Sequence, residues 1–288
     1  MSTNTKEPLR ILAPNPSPLT GPGTTTFLIG QRQVAVIDPG PADPDHLAAI
    51  VEAARGRISH IFVTHAHLDH SAGAPALARL TGAPILAFGD AMAGRSPSMQ
   101  ALAALGEVGG GEGLDISFQP DLRLSDDQVI ETPEWSLRAL HTPGHSGGHL
   151  CFQWQDNIFC GDIVMAWSST IISPPDGDLA DYLRSLSRLD QIGATRLLPA
   201  HGAAIDTPAT RIAELATHRR QRTAQILSTL RQSGPANAAA IAHQIYVVPA
   251  PLMPAATRNV LAHLIALNDL GAVTPTSHLA ADSAFALT

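Results

Sequence analysis

Four metal-capable side chains stand within six positions of this sequence, directly after an apolar run. Residues 65–70 read HAHLDH and follow the strand-like segment 58–64. Side chains alternate between the two faces of a strand, so His65 and His67 lie on one side and can reach one ion. Asp69 and His70 then enter a turn, where the chain can curl around a second ion. The pattern predicts a metal site at a strand-to-helix turn rather than a polar surface loop.

Three further metal-capable side chains, His145, Asp162 and His201, stand at or just beyond predicted strand ends. Together with the first motif they give five histidines and two aspartates, which are enough for two ions. Nitrogen and oxygen ligands without a thiolate suit zinc, with manganese or iron as alternatives, because affinity alone does not select the metal. A bridging carboxylate or hydroxide could join the ions, and two cations would make that water a nucleophile at neutral pH.

Composition limits the class of protein. With 288 residues the chain can form one large domain and a small one. It shows no apolar signal region and no run near the ~20 apolar residues of a membrane span, and its two cysteines make no disulfide framework. We therefore predict a soluble cytoplasmic protein without a membrane partner. Residues 1–204 carry 12 Lys and Arg against 21 Asp and Glu, whereas residues 205–288 carry 6 Lys and Arg against 4 Asp and Glu. The slight positive charge of the second segment gives only weak support for a polyanion partner.

Hydrophobic periodicity predicts an α/β fold with two domains. In residues 1–204, hairpins followed by β-α-β alternation occur twice, which predicts two half-sheets with helices outside, an αββα sandwich. The Gly-rich segment 89–120 is predicted to be a long loop that borders the site. In residues 205–288, a long helix, two shorter helices and a final strand at 271–274 predict a small winged-helix domain.

These motifs together resemble the metallo-β-lactamase fold superfamily. The resemblance is carried by HAHLDH at 65–70, HTPGH at 141–145, CGD at 160–162 and AHG at 200–202. It implies the αββα fold and a first ion held by His65, His67 and His145. It further implies a second ion held by Asp69, His70 and His201, with Asp162 as the bridge.

Within the superfamily the chain resembles the β-lactamase-like protein 2 group. Segments 15–23 and 173–178 and the C-terminal region carry this likeness, with a departure at Thr25, where the group commonly has Asn. The group has a C-terminal winged-helix domain, and its eukaryotic representatives cleave single-stranded RNA. True β-lactamases lack this arrangement, and the 38 residues between Asp162 and His201 are too few for the extra domain of the mRNA-3′-processing nucleases.

Two hydrolase hypotheses follow. The leading one is a dinuclear zinc-dependent hydrolase whose metal-bridged hydroxide cleaves phosphodiester bonds in single-stranded RNA. The alternative substrate is a small ester, a thioester as in glyoxalase II, or a lactone. In both hypotheses Asp69 is the catalytic residue, because it holds the second ion and can orient the nucleophile or accept its proton.

A hypothesis of another class is a nucleic-acid-binding regulator that acts through the winged helix. It is disfavoured because the predicted helix 255–270 offers only Arg258 as a basic residue. The arginines at 219, 220 and 222 are interpreted as a solvated helix face rather than a nucleic-acid track. The C-terminal region could instead shape the substrate cleft or a homodimer contact.

Other polar residues have two interpretations. Ser168, Ser169 and Thr170 follow Asp162 and are predicted to face the pocket mouth, where their hydroxyls could bind a phosphate or a carbonyl or only cap a loop. Asp38 could support a metal ligand or only form a turn. His149 is interpreted as a structural residue.

Overall fold

Two β-sheets form the centre of the molecule. The structure, a computed structural model, describes residues 7–106, 108 and 113–288. The strands of the first sheet, in order, are Leu9–Leu12 (β1), Thr25–Ile29 (β2), Val34–Ile37 (β3), Ile58–Phe62 (β4), Ile85–Ala87 (β5) and Leu122–Arg123 (β6). The pairs β1–β2 and β2–β3 are antiparallel, whereas β3 to β6 run parallel.

The second sheet has the strand order β11-β10-β9-β8-β7. Its strands are Val129–Glu131 (β7), Ser136–His141 (β8), Leu150–Trp154 (β9), Asn157–Gly161 (β10) and Arg196–Pro199 (β11). The strands β7 to β10 form an antiparallel meander, and β11 pairs with β10 in parallel. The strands β9 and β10 form a hairpin that turns at residues 155–156.

Helices flank both sheets: the first and third pack on the outer face of the first sheet and the fifth on that of the second. Their bounds are Pro44–Ala53 (α1), Leu68–Ser71 (α2), Ala74–Thr81 (α3), Pro97–Leu105 (α4) and Leu179–Ile192 (α5). The side chain of Asp43 caps α1 by accepting the backbone N–H of His46. Strand alternation explains the layers, because Phe27 and Ile29 face the other sheet while Leu28, between them, packs in the outer core with α1 and α3. The predicted αββα sandwich is confirmed.

The C-terminal region begins with the long helix Pro208–Ser233 (α6). It continues with Ala236–Asn237 (β12), Ala238–Ile245 (α7), Met253–Asp269 (α8), Val273–Pro275 (β13) and Ala284–Leu287 (β14). The three short strands form a sheet in the order β12-β14-β13. The prediction of a single final strand was wrong, since β14 pairs with both of the others. Each of these strands is too short to give a period-2 signal.

The predicted loop 89–120 contains a helix, so that prediction was wrong in part. Ser96 caps α4 by accepting the backbone N–H of Met99. Met99 and Leu102 are buried in the same core cluster as Leu230 of α6 and Leu264 of α8. Tertiary packing therefore stabilises a helix whose Gly-flanked sequence carries little periodic signal. Among the described residues, none of the helices is long and apolar enough to span a bilayer.

Glu134 connects the turns of the two sheets. Its Oε2 accepts backbone N–H groups from Gln31, Arg32 and Gln33 at 2.8, 2.7 and 3.1 Å, and its Oε1 lies 3.0 Å from Nε of Arg32. These hydrogen bonds, with that of Gln31 the largest contribution, lower the pKa of Glu134 to about 2.

Replacing this carboxylate tests the connection. Because the pKa of Glu134 is lowered on folding, its stabilising contribution is fully present above pH 4.5, the ordinary pKa, and is lost as the pH falls toward 2. We expect Glu134→Gln to lower the urea midpoint of unfolding at pH 7, by an amount that shrinks below pH 4.5. Glu52→Gln, an exposed change on α1, is the control. A deficit that widens with acidification would contradict this account.

Candidate metal centre

All seven predicted ligand side chains lie at one edge of the sandwich. Three of them lie just beyond the ends of strands: His65 beyond β4, Asp162 directly after β10 and His201 beyond β11. His67 precedes α2, the short helix that carries Asp69 and His70, and His145 lies in the loop after β8. The carboxyl ends of these strands meet at one edge, which brings side chains from distant parts of the chain together.

Three imidazoles form the first group. Nε2 of His65 lies 2.9 Å from Nδ1 of His67, and Nε2 of His145 lies 3.0 Å from the same atom. The candidate ligand atoms of this group lie within 4.8 Å of one another. Three nitrogens at these separations can converge on a single cation.

Asp69, His70 and His201 form the second group. Oδ2 of Asp69 lies 3.4 Å from Nε2 of His70 and 3.2 Å from Nε2 of His201. Asp162 reaches both groups: its Oδ2 lies 3.6 Å from Nε2 of His70 and 3.7 Å from Nε2 of His145, and its Oδ1 lies 3.3 Å from Nε2 of His201. This is the position from which one carboxylate can contact two ions.

The cluster contains buried polar atoms without hydrogen-bond partners. In the part of the chain that the structure describes, Nε2 of His70 and Oδ1 of Asp162 have none, although both atoms are buried. Native proteins rarely leave such atoms unsatisfied. Imidazole nitrogens and carboxylate oxygens that face one another in this way fit divalent cations such as zinc, manganese or iron. The structure therefore supports a plausible dinuclear site.

The outer nitrogens of three imidazoles in the cluster face oxygens. Nδ1 of His145 lies 2.7 Å from the carbonyl oxygen of Ile171, and Nδ1 of His201 lies 3.2 Å from that of Gly23. Nδ1 of His70 lies 2.9 Å from Oδ2 of Asp38. A proton on each Nδ1 leaves Nε2 free to ligate, so these contacts orient the rings.

Asp38 supports the site as well as the turn. It has a φ of 52°, and its carboxylate also accepts the backbone N–H of Thr64 at 2.7 Å and the Thr64 hydroxyl at 2.8 Å. Of its two interpretations, support for a candidate ligand is the one that these contacts favour. His149 is structural: its Nδ1 lies 3.0 Å from the Thr142 hydroxyl, and its Nε2 accepts the backbone N–H of Asp162 at 3.2 Å.

Burial and charge divide the histidines into two kinds. Burial lowers the pKa of His67 to about 3, and it also lowers the pKa of His65 and His145. Burial acts in the same direction on His201, but the carboxylates of Asp162 and Asp69 outweigh it and raise the pKa of that imidazole to about 10. The first group is therefore neutral and ready to ligate, whereas the second must release protons when a cation binds.

A cavity of about 370 Å³ opens over the cluster. Ser168, Ser169 and Thr170 all line it, as predicted for the pocket mouth. Most of the remaining wall is apolar, formed by Leu19, Leu68, Met165, Trp167, Ile171 and Pro254. Arg258 of α8 is the one Lys or Arg among the described lining residues, so the C-terminal region contributes to this wall.

The interpretation of Arg219, Arg220 and Arg222 as a solvated face was wrong for Arg219 and, in part, for Arg222. Arg219 is only 1% exposed, and its guanidinium lies 5.2 Å from the ring of Tyr182. Arg222 is partly buried with its guanidinium 4.0 Å from the ring of Tyr246, and Arg220 is exposed. A helix sequence gives no sign of which arginine will be covered, because the covering aromatic residues come from other segments.

Sequence patterns assigned no role to Thr24. Its hydroxyl donates to Oδ2 of Asp69 at 3.1 Å. The side chain of Asn15 holds Thr24 in place: Nδ2 of Asn15 donates to the Thr24 hydroxyl at 2.9 Å, and Oδ1 of Asn15 accepts the backbone N–H of Thr24 at 2.8 Å. The only available signal was the Pro- and Gly-rich segment 15–23 that precedes this threonine.

The class of this protein follows from these features together with its relatives. The αββα sandwich and the imidazole and carboxylate cluster at its strand ends are those of a metal-dependent hydrolase. The family model of the metallo-beta-lactamase superfamily matches residues 19–201, a range that includes all seven clustered side chains. The chain belongs to the metallo-beta-lactamase superfamily.

Individual relatives refine the comparison. The chain is 32% identical over 239 residues to an atrochrysone carboxyl ACP thioesterase of Aspergillus chevalieri, which covers 80% of this chain and 68% of the relative. It is 30% identical over 276 residues to a beta-lactamase-like protein 2 homolog of Drosophila melanogaster. This alignment covers 93% of this chain and 89% of the relative. In structure it is similar to a metallo-beta-lactamase family protein from Thermus thermophilus, with a TM-score of 0.78, 23% identity and 98% of each chain covered.

The contact between Asp38 and His70 can be tested by metal binding. Asp38→Asn keeps the size of the side chain and tolerates the positive φ, but it removes the charge that favours a proton on Nδ1 of His70. We expect the apparent affinity for Zn²⁺, measured by competition with a chromophoric chelator, to fall about 10- to 100-fold. Asp45→Asn, an exposed change on α1, should leave the affinity unchanged. Equal affinities in both variants would contradict a supporting role for Asp38.

Proposed function

We propose that this chain is a dinuclear, zinc-dependent hydrolase of small thioesters and esters. The observation that carries the proposal is the apolar cavity over the cluster, which has a single arginine in its described lining. An acyl chain can bury apolar surface against such a wall, whereas an RNA strand needs several cations along its backbone. The similarity to a protein named as a thioesterase also supports a carbonyl substrate.

The residues that would hold the ions are those of the two groups. We assign one ion to His65, His67 and His145 and the other to Asp69, His70 and His201, with Asp162 between them; the distances within each group support this assignment. When bound, two such cations supply a hydroxide nucleophile at neutral pH and polarise a substrate oxygen.

Asp69 is the candidate catalytic residue. Burial raises the pKa of its carboxyl group, but His70 and His201 outweigh that effect, so its pKa lies well below the ordinary range and the group is ionised at neutral pH. The Thr24 hydroxyl fixes Oδ2 of Asp69 from outside the cluster. An ionised, fixed carboxylate beside the cavity can orient an attacking water by accepting a hydrogen bond from it.

The pocket wall would bind the acyl part of the substrate. Trp167, which is 48% exposed, and Met165 and Ile171 offer apolar contacts close to the cluster. The hydroxyls of Ser168 and Ser169 could contact a carbonyl or its leaving group, whereas the Thr170 hydroxyl is buried against Nδ1 of His145. Arg258 and Asp176 also line the cavity, so its wall carries charged groups of both signs beside the apolar ones.

Cleavage of single-stranded RNA is the second candidate function. The C-terminal region has the element order helix, strand, helix, helix, strand, strand with a three-stranded sheet, which supports its interpretation as a winged-helix module. The likeness to the beta-lactamase-like protein 2 homolog extends through this region. Against this function, Arg219 and Arg222 of α6 are engaged with aromatic rings rather than presented along a track.

A substrate comparison tests the leading proposal. Zinc-loaded protein is assayed with acyl thioesters and esters of increasing chain length, with thiol or alcohol release as the readout. We expect kcat/KM to rise with apolar chain length and to fall at least ~100-fold in Asp162→Asn, because that change removes the carboxylate charge that lies beside both candidate groups. Loss of activity on removal of the metal and recovery on its return complete the test. A zinc-loaded protein inert toward every carbonyl substrate would contradict it.

RNA cleavage is tested on a labelled, unstructured oligonucleotide with zinc- or manganese-loaded protein. We expect no cuts that depend on Asp162, because the cavity has one arginine in its described lining to meet a phosphate backbone. Asp162→Asn is the matched control for contaminating ribonuclease. Cuts made by the intact protein and absent in Asp162→Asn would instead favour the endoribonuclease.

A further inference from the structure

One short segment forms the pocket wall and also orients a candidate ligand. Met165 and residues 167–171 line the cavity beside the cluster, and the carbonyl oxygen of Ile171 lies 2.7 Å from Nδ1 of His145. The hydroxyl of Thr170 lies 3.2 Å from the same nitrogen. The direction of the Ile171 carbonyl therefore decides where Nε2 of His145 points.

The C-terminal region holds this segment through its backbone. Arg211 of α6 donates to the carbonyl oxygens of Met165 and Ser168, both at 2.8 Å. Arg219 of α6 donates to the carbonyl oxygen of Thr170. These contacts hold three carbonyls of one irregular segment that has no sheet partner of its own.

Asn259 of α8 holds the next peptide unit. Its Oδ1 accepts the backbone N–H of Ile172 at 3.1 Å and a hydrogen bond from Nη1 of Arg219 at 3.0 Å. The N–H of Ile172 and the C=O of Ile171 belong to the same planar trans peptide, so they point in opposite directions. Fixing that N–H on Asn259 therefore fixes the C=O toward His145.

Burial of the charged side chain of Arg219 lowers the free energy of unfolding. The side chain is 1% exposed, and in the ranges described by the structure no carboxylate lies within ion-pair distance of it. Its partners are the Thr170 carbonyl, the Asn259 amide oxygen and the ring of Tyr182. Burying a charge without a counter-charge destabilises a fold, and an apolar side chain of similar size would pack at lower cost.

We propose that Arg219 is a positioning residue for the metal centre. Arg219 and Asn259 begin a series of hydrogen bonds that we call the 219–259 relay. It continues through the peptide between Ile171 and Ile172 and ends at His145. By holding this peptide, the relay directs Nε2 of His145 toward the ion of the first group. The inference rests on the proposed metal site but not on the identity of the substrate.

The test compares Arg219→Met with Arg220→Met on metal-loaded full-length protein. Met keeps the length and apolar stem of Arg219 but donates no hydrogen bond, whereas Arg220 is exposed and outside the relay. We expect Arg219→Met to weaken binding of one of two Zn²⁺ ions about 10- to 100-fold in chelator competition. Binding of the other ion should be unchanged, as should both ions in Arg220→Met.

A second readout separates positioning from general stability. The unfolding midpoint of metal-free Arg219→Met should be equal to or above that of the unsubstituted chain, because a buried charge has been removed. The relay is supported if Arg219→Met has reduced affinity for one ion and its metal-free form is as stable as the unsubstituted metal-free chain. Unchanged affinity for both ions, or losses of affinity that only follow losses of stability, would overturn it.

A double-mutant cycle keeps the proposal testable if one variant folds poorly. Asn259→Leu should weaken the same ion, and the combined Arg219→Met, Asn259→Leu chain should lose little more affinity than either single variant, since both act through one peptide. Additive losses would overturn the relay. If the unsubstituted chain binds no zinc, the proposed metal site fails together with the inference. If it binds two ions that Arg219→Met binds equally well, only the inference fails.

Discussion

The carboxylate of Asp38 is the interaction on which the arrangement of the site depends. It stands directly after β3 and accepts hydrogen bonds from the backbone and hydroxyl of Thr64, just after β4, while contacting His70 on α2. One buried anion thus joins the ends of two neighbouring parallel strands and the helix that follows them. These contacts also fix the position of His65, His67 and Asp69, because all three lie on the chain between Thr64 and His70.

The sheet sandwich was predictable because its signals are local. Apolar strands of four or five residues, the Asp43 cap and the hairpin around residues 155–156 each leave a pattern within a short window. The seven candidate ligands were also found from sequence, four in one motif and three at predicted strand ends, whereas their division into two groups came from the family resemblance. The cluster geometry agrees with that expectation, and the two groups share Asp162 as a neighbour.

What the sequence did not reveal depends on contacts between distant segments. Helix α4 is formed in a Gly-rich stretch because Met99 and Leu102 are buried against α6 and α8. Arg219 is covered by Tyr182, which is 37 positions earlier in the chain. Thr24 acquires a role only when Asp69 is brought beside it. No window of a single sequence contains these pairs, so period and propensity could not identify them.

The core of the second sheet extends into the C-terminal region, and this has a consequence for how the chain can change over evolution. Ile212 and Leu215 of α6 and Ala262 of α8 pack in the same cluster as Leu140 and Ile158 of the sandwich. Residues 205–288 are therefore no detachable appendage, because their loss would leave an open apolar face on the sandwich. Exchange of this region between relatives would have to exchange part of the sandwich interior with it. A relative without this region would have to cover the same apolar face with other side chains.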